Sequence, residues 1–267
     1  MSVVWFNGDF IGDVLPLDPA DRGLMLGDGL FETIAVIGSQ PIWLNEHLLR
    51  MATAARELGI DFDEALAIHA IGKVLKRSGS SHEVLRLTLT RGVTQRGLAA
   101  DSQASSLLIS LLPVDVSKFP LSVTLASSTI RRNEWAPSSR LKTLSYIDNV
   151  SAAREVVGRA DDALMLNTAG HVACSTVGNV FLLFGSELVT PQDDQGVLAG
   201  ITKQKIKDLA RFKVIKAIVK LEDLHSADAV FLTNSLRLVT PVTKLDDRAL
   251  GTKSVQHIKD YLKGLPP

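Results

Sequence analysis

The chain opens on alternation. Val3-Val4-Trp5-Phe6 precedes Asn7-Gly8, and Phe10-Ile11 follows, the spacing of a tight hairpin. Residues 30–37 read as a strand, Gly38-Ser39 as a turn, and Pro41-Ile42-Trp43-Leu44 as the return. From Asn45 the period lengthens: Leu48, Leu49, Ala52, Ala55 and Leu58 recur at helical spacing, and Gly59 is placed to cap the end. A second helix is predicted over 62–77, then strands over 84–91 and 105–112. Pro113 and Pro120 enclose a polar stretch. This predicts a first domain over 1–113, a linker over 114–120 and a second domain over 121–267.

The second block reads as a strand at 123–127 and a helix over 146–159, with Ile147, Val150, Ala153 and Val157 on one face. Strands follow at 163–167, 171–175, 180–184 and 187–190. A helix over 202–212 turns Ile206 and Leu209 inward, and a strand at 229–233 and a helix over 254–262 complete the pattern. Hairpin-like strand pairs beside helices predict an α+β fold of two domains, with mostly antiparallel sheets and flanking helices.

Composition narrows the function classes. Lys+Arg and Asp+Glu both number 29, so the formal net charge is zero. That weighs against nucleic acid as the main partner, because such domains carry a basic face. Aromatic residues make up 5% against 46% hydrophobic, so the core is expected to be aliphatic. The one cysteine, Cys174, cannot form an intrachain disulfide. No apolar run reaches membrane-spanning length and no secretory pattern opens the chain, so a cytoplasmic protein without a membrane partner is expected.

The common nucleotide motifs fail: Gly27-Asp28-Gly29 lacks the third glycine of a dinucleotide fingerprint, and no P-loop occurs. The six histidines are scattered, and no metal site is expected. No G-x-S-x-G elbow is present either. Three segments remain. Gly200-Ile201-Thr202 leads into a helix and suits an anion, or simply makes a turn and a cap. Lys142 lies between apolar residues, as a functional amine or a snorkelling surface lysine. Thr233-Asn234-Ser235 ends a buried strand, as an anion site or a terminating turn.

The order of these segments resembles the class IV, fold-type IV family of pyridoxal-phosphate enzymes. That family includes 4-amino-4-deoxychorismate lyase and the branched-chain and D-amino-acid aminotransferases. The likeness begins at Asp21-Arg22-Gly23 and Gly27-Asp28-Gly29-Leu30-Phe31-Glu32-Thr33. It continues through Glu46-His47-Leu48-Leu49-Arg50, Leu141–Tyr146 (L-K-T-L-S-Y), Asn179-Val180-Phe181, Gly200-Ile201-Thr202 and Phe231–Ser235 (F-L-T-N-S) with Pro241-Val242. The resemblance implies pyridoxal 5'-phosphate as cofactor and Lys142 as the Schiff-base lysine and proton shuttle. Arg50, Ile201, Thr202 and Ser235 would hold the phosphate, and Tyr146 would approach the 3-hydroxyl.

One position departs from the pattern. The family places a glutamate opposite the pyridine nitrogen, five residues before the asparagine, and here that residue is Cys174. A neutral thiol is a weaker partner for a protonated ring. Three readings follow: a less electron-withdrawing cofactor, a thiolate that partly replaces the carboxylate, or impaired catalysis. Strand alternation predicts that Val172 and Cys174 share a face.

Arg91-Gly92 and Arg96-Gly97 resemble the lyase's S-R-G-x-x-x-R-G loop, which implies that Arg91 and Arg96 bind substrate carboxylates. The expected reaction is therefore that of an aminodeoxychorismate lyase, releasing pyruvate and p-aminobenzoate. The alternatives are an aminotransferase for branched-chain or D-amino acids, and a catalytically impaired pyridoxal-phosphate-binding homologue. Family members complete the pocket from a second subunit, so a homodimer acting on an amino-acid-like small molecule is expected.

Overall fold

A computed structural model describes residues 2–12, 14–99, 104–207, 212–252 and 255–265. Two compact units emerge. The first gathers the described residues of 2–116 with Lys142–Ser145, and the second gathers Ser117–Leu141 with Tyr146–Leu265.

The first unit begins with the hairpin of β1 (Val3–Phe6) and β2 (Asp9–Phe10), in register Trp5↔Phe10. Asn7 and Gly8, at φ 43° and 121°, supply the left-handed turn that such a hairpin needs. A short helix, α1 (Arg22–Leu26), then β3 (Gly29–Ile37) and β4 (Gln40–Pro41) follow. The return strand is shorter than the sequence predicts. Trp43 turns left-handed at φ 54°, and the chain enters α2 (Leu44–Leu58) at once. Then come α3 (Glu64–Leu75), β5 (His82–Thr90) and β6 (Ser106–Pro113). All pairings in the six-stranded sheet β2-β1-β6-β5-β3-β4 are antiparallel. Helix α2 packs on β3, and α3 on β1 and β6. Leu48, Met51, Ile71 and Val74 meet a buried sheet face of Leu30, Ile34, Leu85, Leu87, Ile109 and Leu111.

Lys142–Ser145 joins this unit through main-chain pairing. The Phe31 amide donates to the Lys142 carbonyl and the Leu144 amide to the Gly29 carbonyl, both at 2.9 Å, bridging Leu30 with Thr143. The sequence places Lys142 in the second block. The structure instead lays its segment along the start of β3. Gly29 permits the close approach, because a Cβ there would lie 2.4 Å from the Leu89 carbonyl oxygen and 2.8 Å from Leu144 Cδ1.

The second unit contains β7 (Val123–Ser127), α4 (Pro137–Arg140), α5 (Ile147–Glu155), β8 (Asp162–Leu166), β9 (Val172–Ser175), β10 (Asn179–Phe184) and β11 (Glu187–Pro191). It continues with α6 (Ile201–Lys207), β12 (Lys213–Ala217), α7 (Leu221–Ser226), β13 (Ala229–Asn234), β14 (Leu238–Leu245), β15 (Arg248–Ala249) and α8 (Val255–Lys263). Its sheet runs β12-β11-β10-β13-β14-β7-β8-β9, and β9 pairs back onto β10 at Cys174↔Asn179. Parallel pairings join β11 to β12, β14 to β7 and β7 to β8; the others are antiparallel. Leu209, expected to face inward, lies outside the described residues.

One expectation is overturned here. Val172 and Cys174 do not share a face. The register steps from Met165↔Cys174 to Leu166↔Val172, so Ala173 forms a bulge that breaks the alternation. Val172 packs with Leu164, Leu166 and Val180, whereas Cys174 packs with Ala126, Ala152 and Met165. The apolar row of α5 shares a face, and that face is exposed: Ile147 at 71%, Val150 at 47% and, just beyond the helix, Val157 at 77%, while Asn149 and Ala152 are buried. Asn149 sets that orientation: its side chain accepts from Arg132 and donates to the Thr176 carbonyl. Among the described residues no helix is long and apolar enough to cross a membrane.

Candidate active site

Glu32 sits on the buried face of β3, among Leu30, Ile34 and Val36, where an unpaired carboxylate would be costly. The next helix answers it. His47 and Arg50, one turn apart on α2, both reach Glu32. Arg50 Nε and Nη2 donate to its two oxygens at 2.7 and 2.6 Å, and His47 Nδ1 lies 2.6 Å from Oε2. Burial pushes the Glu32 carboxyl up, but Arg50 and His47 outweigh it and hold it at about 2. An ionised carboxylate only accepts, so His47 Nδ1 carries the proton. Its buried Nε2 has no hydrogen-bond partner.

Lys142 is half-buried, with Nζ 4.2 Å from the centre of the Phe31 ring. Loss of solvent, then the Arg50 and Arg86 charges, lowers its amine to about 8, with Glu32 pulling the other way. A lysine at that value holds a useful fraction of free base near neutral pH, which a nucleophilic amine needs. A second lysine offers a control. Lys203 is only 2% exposed, but its ammonium donates to the Pro191 carbonyl at 2.9 Å and pairs with Asp193. Its work is to hold a loop.

Asp28 organises the entry to β3. Arg22 Nε and Arg91 Nε both reach its Oδ2 at 2.8 Å. Arg91 further donates to the Gly59 and Leu58 carbonyls at the end of α2, at 2.7 and 2.8 Å. Arg22 donates to the Gly97 and Leu98 carbonyls at 2.8 and 2.9 Å. The segment from Arg91 to Leu98 after β5 is thereby fastened at both its ends. Arg91 is half-buried in this network, and Arg96 is exposed.

In the second unit, Ile201 and Thr202 begin α6, both buried. Gly200 precedes them, and a Cβ there would lie 2.0 Å from Asn179 Oδ1; Asn179 itself donates to the Leu198 carbonyl at 2.9 Å. The hydroxyls of Thr202 and Thr233 are buried without a partner. Ser235, just past β13, is half-buried, as is Tyr146 at the head of α5. Cys174 is buried, and loss of solvent pushes its thiol up, so it stays protonated at neutral pH. Among the described residues no group of three His, Cys, Asp or Glu side chains is arranged to hold a metal ion.

Thus Lys142 and Arg50 share the first unit, and Tyr146, Cys174, Ile201, Thr202 and Ser235 the second. Sequence reasoning missed Glu32 and His47 as partners of Arg50, and it also passed over Arg132, a buried guanidinium whose charge draws the Cys174 thiol down against the effect of burial. For the first pair a signal was there to use: an acid on the apolar face of a strand, followed by His-x-x-Arg on one helix face.

The aminodeoxychorismate lyase of Bacillus subtilis is 28% identical over 94% of this chain and 89% of its own length. The crystal structure of 4-amino-4-deoxychorismate lyase from Pseudomonas aeruginosa superposes with a TM-score of 0.85 at 27% identity, covering 97% of this chain and 98% of that one. A fold IV transaminase from Curtobacterium pusillum gives 0.86 at 26% identity, covering 100% of both chains. The family model "Amino-transferase class IV" matches residues 29–245, and the chain belongs to that family of pyridoxal-phosphate-dependent enzymes.

Proposed function

We propose that this enzyme is a 4-amino-4-deoxychorismate lyase, eliminating pyruvate to leave p-aminobenzoate. The residues suit pyridoxal phosphate. Two buried hydroxyls without partners, Thr202 and Thr233, and the close packing at Gly200 fit a phosphate that accepts hydrogen bonds. On this reading Ile201, Thr202, Ser235 and Arg50 bind the phosphate, with Glu32 and His47 holding Arg50 in one orientation. Tyr146 meets the 3-hydroxyl and Cys174 the ring nitrogen.

The cofactor, when bound, supplies a conjugated sink for electrons released at the substrate carbon. Lys142 carries the covalent attachment. Its amine, lowered to about 8, then takes and returns the proton at that carbon. Arg96, with Arg91 behind it, meets the substrate's carboxylates, and Asp28 and Arg22 keep their loop in place.

The fastened loop carries the choice of lyase. Arg22 ties down Gly97 and Leu98, leaving Arg96 exposed to meet a substrate with two carboxylates. The test is to incubate the holoenzyme with aminodeoxychorismate and no added 2-oxo acid. Pyruvate and p-aminobenzoate should appear in equal amounts. The full-length likeness to a transaminase supports a second reading, transfer of the amino group of a branched-chain or D-amino acid. Absence of pyruvate together with such transfer would decide for it, and absence of both reactions would mark an impaired homologue.

The same reading makes the enzyme a cytoplasmic homodimer. Ile147, Val150 and Val157 expose an apolar row on and just beyond α5, and Leu24 and Met25 expose another on α1, as self-association requires. Sedimentation of an active monomer at micromolar concentration would rule out the dimer.

A further inference from the structure

Cys174 is flanked by a buried polar chain. Arg132 is 8% exposed; its Nη1 donates to Asn149 Oδ1 at 2.9 Å, and its Nη2 to the Ser139 carbonyl at 2.8 Å. Asn149 Nδ2 donates to the Thr176 carbonyl at 2.7 Å, and the Thr176 hydroxyl donates to Asp162 Oδ1 at 2.5 Å. Arg132 Nε and Asp162 Oδ2 are buried and left without partners. The side-chain acceptors of Arg132 are all neutral, so a permanent positive charge is buried without a contacting carboxylate. Such an orphaned pair calls for a further polar group beside it, a water, an ion or a ligand. The charges acting on the thiol are those of Arg132 and Asp162.

Resting on the reading that Cys174 faces the cofactor's ring nitrogen, we propose that Cys174 and Arg132 together keep that nitrogen unprotonated. A buried thiol has a hydrogen to donate and no charge to offer, so it pairs with a nitrogen lone pair and not with an N–H⁺. The guanidinium acts in the same sense, because a like charge nearby disfavours a second positive charge on the ring. A carboxylate at position 174 would reverse both effects: it would neutralise Arg132 and accept from a protonated nitrogen. An unprotonated ring withdraws electrons more weakly. Arg132 and Cys174 are thus positioning residues that set the strength of the electron sink.

The test is ¹⁵N NMR of the holoenzyme loaded with ring-¹⁵N-labelled pyridoxal phosphate, which reads protonation without turnover. The wild-type signal should fall where the free cofactor resonates with its ring nitrogen unprotonated. It should stay there in Asp162→Asn and move to the protonated position in Cys174→Glu. The smaller Cys174→Asp serves if the glutamate variant does not fold. A wild-type signal at the protonated position overturns the proposal, and its movement in Asp162→Asn would then identify Asp162 as the partner. A wild-type signal at the unprotonated position that neither carboxylate variant shifts means that residue 174 does not face the nitrogen, which overturns the underlying reading instead.

Discussion

Replacing Glu32 by glutamine removes a charge on which Arg50, His47 and Lys142 all depend. The carboxyl is held at about 2 instead of 4.5. At about 1.4 kcal/mol per pKa unit, that difference stands for about 3 kcal/mol of stability at neutral pH. The sign follows from the depressed value: the contribution is complete above 4.5 and is lost as the pH falls through 2. Glutamine keeps one acceptor for Arg50, so the expected loss lies at the lower end of the range of about 3–5 kcal/mol for breaking a buried ion pair. Urea unfolding of the cofactor-free proteins at pH 7 should show a deficit of about 3 kcal/mol, shrinking to about 1.4 kcal/mol at pH 3, where the carboxyl of the unfolded wild-type chain has taken up its proton and the folded one still holds its charge. The variant should also bind cofactor more weakly, because Arg50 loses one of the two contacts that orient it. A deficit below about 1 kcal/mol at pH 7, or one that does not shrink in acid, would refute the reasoning.

Four further outcomes follow from the same geometry. With the Lys142 amine lowered to about 8, its covalent attachment to pyridoxal phosphate should speed up with rising pH and level off above that value; stopped-flow absorbance measures this, and a midpoint near 10.5 would contradict the assigned environment. Arg96→Ala, at an exposed site, should leave stability unchanged and raise KM about tenfold, the worth of one charge-assisted hydrogen bond of about 1.4 kcal/mol. Arg91→Ala should instead cost stability by releasing Asp28 and the end of α2, and steady-state kinetics beside thermal unfolding separates the two. Gly200→Ala would place a Cβ 2.0 Å from Asn179 Oδ1 and displace that side chain. Cofactor affinity by spectroscopic titration should fall about tenfold, at about 1.4 kcal/mol, and an unchanged affinity would separate Gly200 from the phosphate site.

Where local signals and burial agree, the chain was legible. Asn7-Gly8 set the first hairpin and Gly59, left-handed at φ 63°, ended α2. The strands at Gly29–Ile37, His82–Thr90 and Ser106–Pro113 appeared within two residues of their predicted ends. Long-range pairing was not legible. Nothing local shows that Lys142–Ser145 lies along β3, or that a bulge at Ala173 turns Val172 away from Cys174. On α5 the apolar row shares a face as its spacing says, but which face is buried was not legible: a hydrogen-bonded asparagine turns inward and the row stays exposed. Helix α7 and strand β14 went unread: α7 spans little more than one turn, and Pro241 interrupts β14. The site followed the same division. Motifs named Lys142, Arg50 and Thr202 as candidates; Glu32 and His47 carried a local signal that went unused, and Arg132 emerged only through partners brought from other elements.

The central claim is that Lys142, and not the equally conspicuous buried Lys203, carries the cofactor. Borohydride reduction of the holoenzyme, followed by proteolysis and peptide mass spectrometry, tests it most directly. The phosphopyridoxyl group should be found on the peptide containing Lys142 and should be absent from a Lys142→Ala variant that still retains cofactor noncovalently. A label on the Lys203 peptide, or a label that persists in Lys142→Ala, would contradict the assignment.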